Sequence, residues 1–142
     1  MGELRLYNTL TRKEEPFVPR EPGKVAMYAC GLTPQAPAHV GHMRGVVVMD
    51  VVRRWLEQHG YEVHFVQNFT DIDDKIIRRA QEEGISTQQV AEKYSQMYIE
   101  DALALGVKLP HFVKVTENMQ DIIAMVKKLS LIHISEPTRQ AE

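Results

Sequence analysis

Residues 25–68, VAMYACGLTPQAPAHVGHMRGVVVMDVVRRWLEQHGYEVHFVQN, hold three consecutive patterns whose order decides the fold. VAMYAC carries no charge and lies between Gly23 and Gly31, the form of a short buried strand. After a loop with Pro34 and Pro37, HMRGVVVMDVVRRWLEQHG sets Val47, Val48, Val51, Val52 and Trp55 at helical spacing and stops at Gly60. This predicts a helix over about Gly41 to His59 with those residues on its apolar face. YEVHFVQN is rich in aromatic and β-branched side chains and predicts a second strand over Tyr61 to Asn68. Strand, helix and strand in this order form a βαβ unit with parallel strands, the building block of a doubly wound α/β sheet. Such sheets bind ligands at the carboxyl ends of their strands. Those ends here carry the loops CGLTPQAPAH (30–39) and NFTDIDD (68–74).

Upstream, residues 1–24 mix charges with Pro16, Pro19 and Pro22, and read as an irregular leader with at most a short strand at Leu4 to Tyr7. Downstream, DDKIIRRAQEEG (73–84) predicts a short helix closed by Gly84. Ser86 and Gln89 form a capping box for a longer helix that reaches Gly106. A further helix is expected after Thr116, with Met119, Ile122, Ile123, Val126 and Leu129 on one side.

Hydrophobic residues make up 44% of the chain and charged residues 25%, which excludes wholesale disorder and predicts a packed domain. A net charge of -2 excludes a chain-wide basic field of the kind that marks many nucleic-acid binders. The single cysteine, Cys30, cannot form an internal disulfide and fits a reducing, cytoplasmic setting. No run of about 18 apolar residues occurs, so no membrane span is expected.

The chemistry concentrates in the two loops. His39, Gly41 and His42 form H-V-G-H at the expected start of the first helix. A helix N-terminus offers free backbone N–H groups and partial positive charge, glycine lets a ligand approach, and imidazoles donate to phosphate oxygens. Cys30 ends the first strand and points to the same crevice. Cys30, His39 and His42 are three candidate zinc ligands, although their spacing matches no regular zinc-binding pattern. Asp71, Asp73 and Asp74 offer oxygens for Mg2+, or caps for the next helix. Thr70 stands at the end of the second strand, placed to touch a ligand.

YACGLTPQAPAHVGHMRG (28–45) with DVVRRWLEQHGYEVHFVQNFTDIDDKIIRRA (50–80) resembles the amino-terminal part of the cysteinyl-tRNA synthetase family, class I aminoacyl-tRNA synthetases. LYNTLTRKEEPFVP (6–19) and EDALALGV (100–107) resemble the same family in the same order, so the likeness runs from Leu4 to Leu129. It implies the first half of a Rossmann-like catalytic domain. It also implies a two-step reaction: cysteine and ATP, the latter with Mg2+, give cysteinyl adenylate and pyrophosphate, and the aminoacyl group then passes to tRNA(Cys). By position, His39, Gly41 and His42 match the signature that binds ATP, with the histidines catalytic. Cys30, Gly31, Thr33 and Thr70 match the cysteine pocket, and Cys30 matches a ligand of the family's zinc.

The chain departs from the family pattern in three places. Leu32, Thr33, Pro34 and Gln35 stand where the family more often has Pro-Thr-Val-Tyr, and Thr-Pro after Cys-Gly also resembles a ligase that joins cysteine to an amino sugar in mycothiol synthesis. Lys75 with Ile76 and Ile77 favours the synthetase. The family's other zinc ligands, its lysine-containing second signature and its anticodon-reading helices have no counterpart in the 142 residues, so an inactive truncated catalytic domain is expected over residues 25–129. After Leu129 the family register is lost, and residues 130–142, with Pro137, resemble read-through into adapter DNA rather than a native tail. A non-enzymatic fold that binds metal or nucleotide through the same residues is the third expectation.

Overall fold

The computed structural model describes residues 4–131. The sequence of elements is β1 (Arg5–Asn8), β2 (Lys13–Pro16), β3 (Lys24–Ala29), α1 (Val40–Gln58), β4 (Glu62–Phe69), α2 (Asp74–Glu83), α3 (Thr87–Ala104), β5 (His111–Lys114), a 3-10 turn at Thr116–Asn118 and α4 (Met119–Leu131). β3, β4 and β5 form a three-stranded parallel sheet in that order, with Val25 opposite Val63 and Val66 opposite His111. The expected βαβ unit is therefore present.

Strands added in one direction through right-handed crossovers place their helices on one face of a sheet. This chain shows that outcome: Met43 and Val46 of α1, Phe69 of β4, and Tyr98 and Ala102 of α3 share one buried cluster, against which Phe112 of β5 packs. Phe69 stacks on Phe112 with ring centroids 4.7 Å apart and meets Tyr98 edge to face at 5.7 Å. A second cluster, Ile76, Ala80, Val90, Ala91 and Tyr94, joins α2 to α3. The opposite face of the sheet shows Tyr28 at 66% exposure and an exposed His64.

The buried side of α1 is not the valine face expected from spacing. Met43, Val46, Asp50 and Leu56 are buried, while Val48 and Val51 are 52% and 60% exposed. Polar bonds decide the rotation. Asp50 accepts from Lys108 N at 3.2 Å and from Arg54 Nε at 2.7 Å, and Arg53 donates to the carbonyls of Lys108 and Leu109. These bonds clamp α1 to the turn between α3 and β5, and a count of apolar residues cannot register them.

Two strands escaped the sequence reading. The leader holds a short strand where one was allowed near Leu4 to Tyr7, β1, and adds β2, which pairs with it antiparallel, Arg5 opposite Pro16, across a turn with Arg12 at φ 57. KEEP has no apolar alternation, and its extended form comes from pairing alone. β5 is four residues long, too short to show a period, and is fixed by its parallel register against β4. The helix after Thr116 forms, yet no residue of α4 is buried, and Ile122 and Val126 are 39% and 54% exposed. α4 runs through Ser130 and Leu131, and the rest of the expected non-native tail, 132–142, lies outside the described residues.

Candidate active site

Cys30 and Gly31 follow β3, and Asn68 to Thr70 close β4, so the parallel register brings the two loops together at the carboxyl edge of the sheet. The approach is very close. A Cβ on Gly31 would stand 1.5 Å from the backbone oxygen of Asn68, so only glycine fits. The Asn68 side chain then stitches the ends: Oδ1 accepts from Gly31 N at 2.9 Å and from the Tyr28 hydroxyl at 2.9 Å, and Nδ2 donates to Thr70 Oγ1 at 3.2 Å. The Thr70 N–H donates to Leu32 O at 3.1 Å. Asn68 was absent from the residues singled out by sequence, since a strand-end asparagine has no local signature.

His39 is the N-cap of α1 and His42 its third residue, and the two imidazoles form a reciprocal capping box. His39 Nδ1 accepts from Gly41 N at 3.1 Å, and His42 Nδ1 accepts from His39 N at 3.3 Å. A backbone N–H can only donate, so each Nδ1 is unprotonated and each neutral ring carries its proton on Nε2. The rings stack with centroids 3.7 Å apart and planes 20° apart, at the positive end of a helix. Gly41 leaves room for the His39 ring: a Cβ there would lie 3.0 Å from His39 Cε1, tight enough that the imidazole would have to shift.

Partial desolvation, and secondarily the neighbouring His39, hold the His42 pKa below its ordinary value of 6.5. The unfolded chain therefore binds a proton at higher pH than the folded one. The cap's contribution to stability is whole above pH 6.5 and is lost as pH falls through the lowered folded-state pKa. Heteronuclear NMR of the imidazoles should show the Nε2–H tautomer for both rings and a His42 midpoint below that of an exposed histidine. A midpoint at or above the ordinary value would contradict the capping geometry.

Two adjoining cavities open on these residues. One of about 410 Å³ is lined by Cys30, Gly31, His42, Gln67 and Tyr98, and the other, of about 440 Å³, by Thr33, His39, His42 and Lys75. Gly31, Leu32 and His42 belong to both. Cys30 lines the first cavity, Thr33 and His39 line the second, and His42 lines both, whereas Thr70 lines neither and reaches the loop through Leu32 and Asn68. Lys75, at the start of α2, adds a cation beside the histidines. The buried Gln67 donates to Cys30 O at 3.5 Å and accepts from the Tyr98 hydroxyl at 3.5 Å. Burial pushes the Tyr98 phenol up, and its bond to Gln67 opposes the shift.

A larger cavity, about 550 Å³, lies between the loop after β4 and helices α2 and α3. Its carboxylates have structural work. Asp71 accepts from the Thr116 N–H at 3.0 Å and from the Thr116 hydroxyl, Asp73 caps α2 through Lys75 N at 2.8 Å, and Glu92 pairs with Lys114 at 2.9 Å. The capping use of the aspartates therefore holds for Asp73. Among the described residues no group of three or more His, Cys, Asp or Glu side chains converges on a point that would hold a metal ion. Cys30 is exposed and brings one thiol, short of the three or four donors zinc takes, so the described residues alone do not fit a zinc site.

A family model described as the class I (C) tRNA synthetase catalytic domain matches residues 16–135, most of the chain. The chain belongs to this class I synthetase family. It is 54% identical over 127 residues to a cysteine–tRNA ligase of Carboxydothermus hydrogenoformans, covering 89% of this chain and 27% of that protein. It is 50% identical over 135 residues to the cysteine–tRNA ligase of Gloeobacter violaceus, covering 94% and 28%. The chain thus spans about a quarter of the length of these relatives. Among solved structures, Mycobacterium tuberculosis methionyl-tRNA synthetase bound by methionyl-adenylate superposes with TM-score 0.60 at 25% identity, over 68% of this chain and 19% of that one. The parallel sheet and one-sided helices of this chain are accordingly part of a class I synthetase Rossmann-like domain. Among the described residues no helix is long and apolar enough to cross a membrane.

Proposed function

We propose that this segment belongs to a cytoplasmic cysteine–tRNA ligase and supplies the phosphate-binding half of its adenylation site. A cysteine carboxylate oxygen attacks the α-phosphorus of ATP, the bond from that phosphorus to the bridging oxygen breaks, and pyrophosphate leaves with the electron pair. A hydroxyl of the terminal ribose of tRNA(Cys) then attacks the acyl carbon of the adenylate, the bond from that carbon to the phosphate oxygen breaks, and AMP leaves with the electron pair. His39 and His42 are the proposed catalytic residues: their Nε2–H groups donate to phosphate oxygens as negative charge grows there, and the α1 N-terminus adds its dipole. Gly41 keeps the ATP path open. Cys30, Gly31, Thr33 and Thr70 form the cysteine end. The observation that carries this reading is the pair of stacked imidazoles at the start of α1, whose Nδ1 atoms are taken up by backbone N–H groups.

The test is a chimera in which this segment replaces the matching 127 residues of the Carboxydothermus hydrogenoformans ligase. It should exchange labelled pyrophosphate into ATP only when cysteine is present, and should charge tRNA(Cys). The 142-residue chain alone should do neither. A correctly folded chimera without cysteine-dependent exchange would sink the proposal. Thr33 and Pro34 keep the amino-sugar ligase as a second reading, and exchange without tRNA charging would favour it.

A further inference from the structure

We infer that Asp50 is a positioning residue, which holds α1 at the rotation that turns His42 onto the cavities and keeps the helix from burying its valines instead. At about 100° per residue, α1 carries two stripes whose centres stand about 140° apart around its axis. One is His42, Gly45, Val46 and Met49, which line the cavity beside Cys30. The other is Val47, Val48, Val51, Val52 and Trp55, the more apolar of the two. Burial of apolar area alone favours the second, and a helix that turned it to the sheet would carry His42 and Met49 away from the cavity. Asp50 decides against that outcome. It is buried at 6% exposure and bonds to the turn between α3 and β5: its carboxylate accepts from Lys108 N at 3.2 Å and from Arg54 Nε at 2.7 Å, and Arg54 donates onward to Gly106 O at 2.7 Å. Arg53 donates to the carbonyls of Lys108 and Leu109 at 3.1 and 3.0 Å. Hydrogen bonds are directional and are made at one rotation, whereas apolar contact is not directional and admits several. Loss of Asp50 also leaves the Lys108 N–H, an obligate donor, without its acceptor. The consequence for the reaction rests on the role proposed for His42, and the rotation itself does not.

Asp50→Ala and Asp50→Asn separate this role from simple support. Asparagine keeps an oxygen for the Lys108 N–H, and alanine keeps none. In NMR of the 142-residue chain, a dissolved nitroxide should broaden the methyl signals of the exposed Val48 and Val51 and spare Val46, which is 2% exposed. Asp50→Ala should reverse that order, and Asp50→Asn should preserve it. Adding Val48→Gln and Val51→Gln to Asp50→Ala makes the competing stripe polar and should return Val46 to protection. An Asp50→Ala chain that keeps the original order, or one that neither folds nor is restored by the glutamines, would overturn the inference. In the chimera, Asp50→Ala should slow cysteine-dependent exchange about tenfold to a hundredfold, the scale of a misplaced catalytic group, while Asp50→Asn stays within about twofold of the unsubstituted chimera. In a His42→Ala background the alanine at position 50 should cost about twofold or less, because the side chain it positions is already gone. No loss in the chimera, or an undiminished loss in that background, would show that Asp50 does not act through His42. An unsubstituted chimera without exchange removes the functional reading alone, since the nitroxide measurement still decides the rotation.

Discussion

Gly31→Ala should lower the stability of the chain by about 3 kcal/mol, the upper end of the usual cost of overpacking. The added Cβ would fall 1.5 Å from the carbonyl oxygen of Asn68 and 2.7 Å from its carbon. Backbone stands on both sides of this contact, so no rotamer change relieves it; the β3 loop and the end of β4 must part. Parting them stretches the Gly31 and Thr70 bonds that hold the loop. Gly45→Ala is the matched control, because it lies within α1 and a Cβ there meets nothing within 4 Å. That substitution should stabilise by about 0.5–1 kcal/mol through helix propensity. Urea unfolding of both variants gives the two signs; equal midpoints would show that the close approach at Gly31 is absent in solution.

His42→Ala should slow cysteine-dependent pyrophosphate exchange in the chimera about 10²–10³-fold, the usual cost of deleting one donor to developing transition-state charge. The KM for cysteine should change little, because the role proposed for the imidazole is donation to phosphate oxygens. Loss of the cap should also cost about 1 kcal/mol of stability. His42→Gln separates these effects. Glutamine at the third helical position can return the bond to the His39 N–H, so stability should recover while the rate stays at least about tenfold low. Full recovery of rate with glutamine would show that His42 acts only as a cap.

What could be read from the sequence was the part written in local pattern. VAMYAC, the capped helix and YEVHFVQN each carry their own period and punctuation, and β3, α1 and β4 follow within about a residue of the expected bounds. Ser86 and Gln89 form their capping box for the same reason: four neighbouring residues contain the whole interaction. The misses depend on contacts across the chain. α1 turns Asp50 inward because Lys108, 58 positions away, offers an N–H. Gly31 was placed by family likeness, yet its physical cause is the Asn68 carbonyl, visible only once the strands pair. The aspartates left a choice between cation ligands and helix caps, and Thr116 and the α2 N-terminus account for two of them.

The capping histidines set a limit on how far this helix start can be improved. Serine, aspartate and asparagine are the strongest N-caps, and histidine is not among them. A thermostabilising design would place one of them at position 39. Any of the three would satisfy the Gly41 N–H from a shorter side chain and remove the outward Nε2–H with its stacked neighbour. Directed evolution for heat tolerance should therefore drift away from histidine here, and selection for turnover should restore it. Under the role proposed for His39, stability and work pull this single residue in opposite directions.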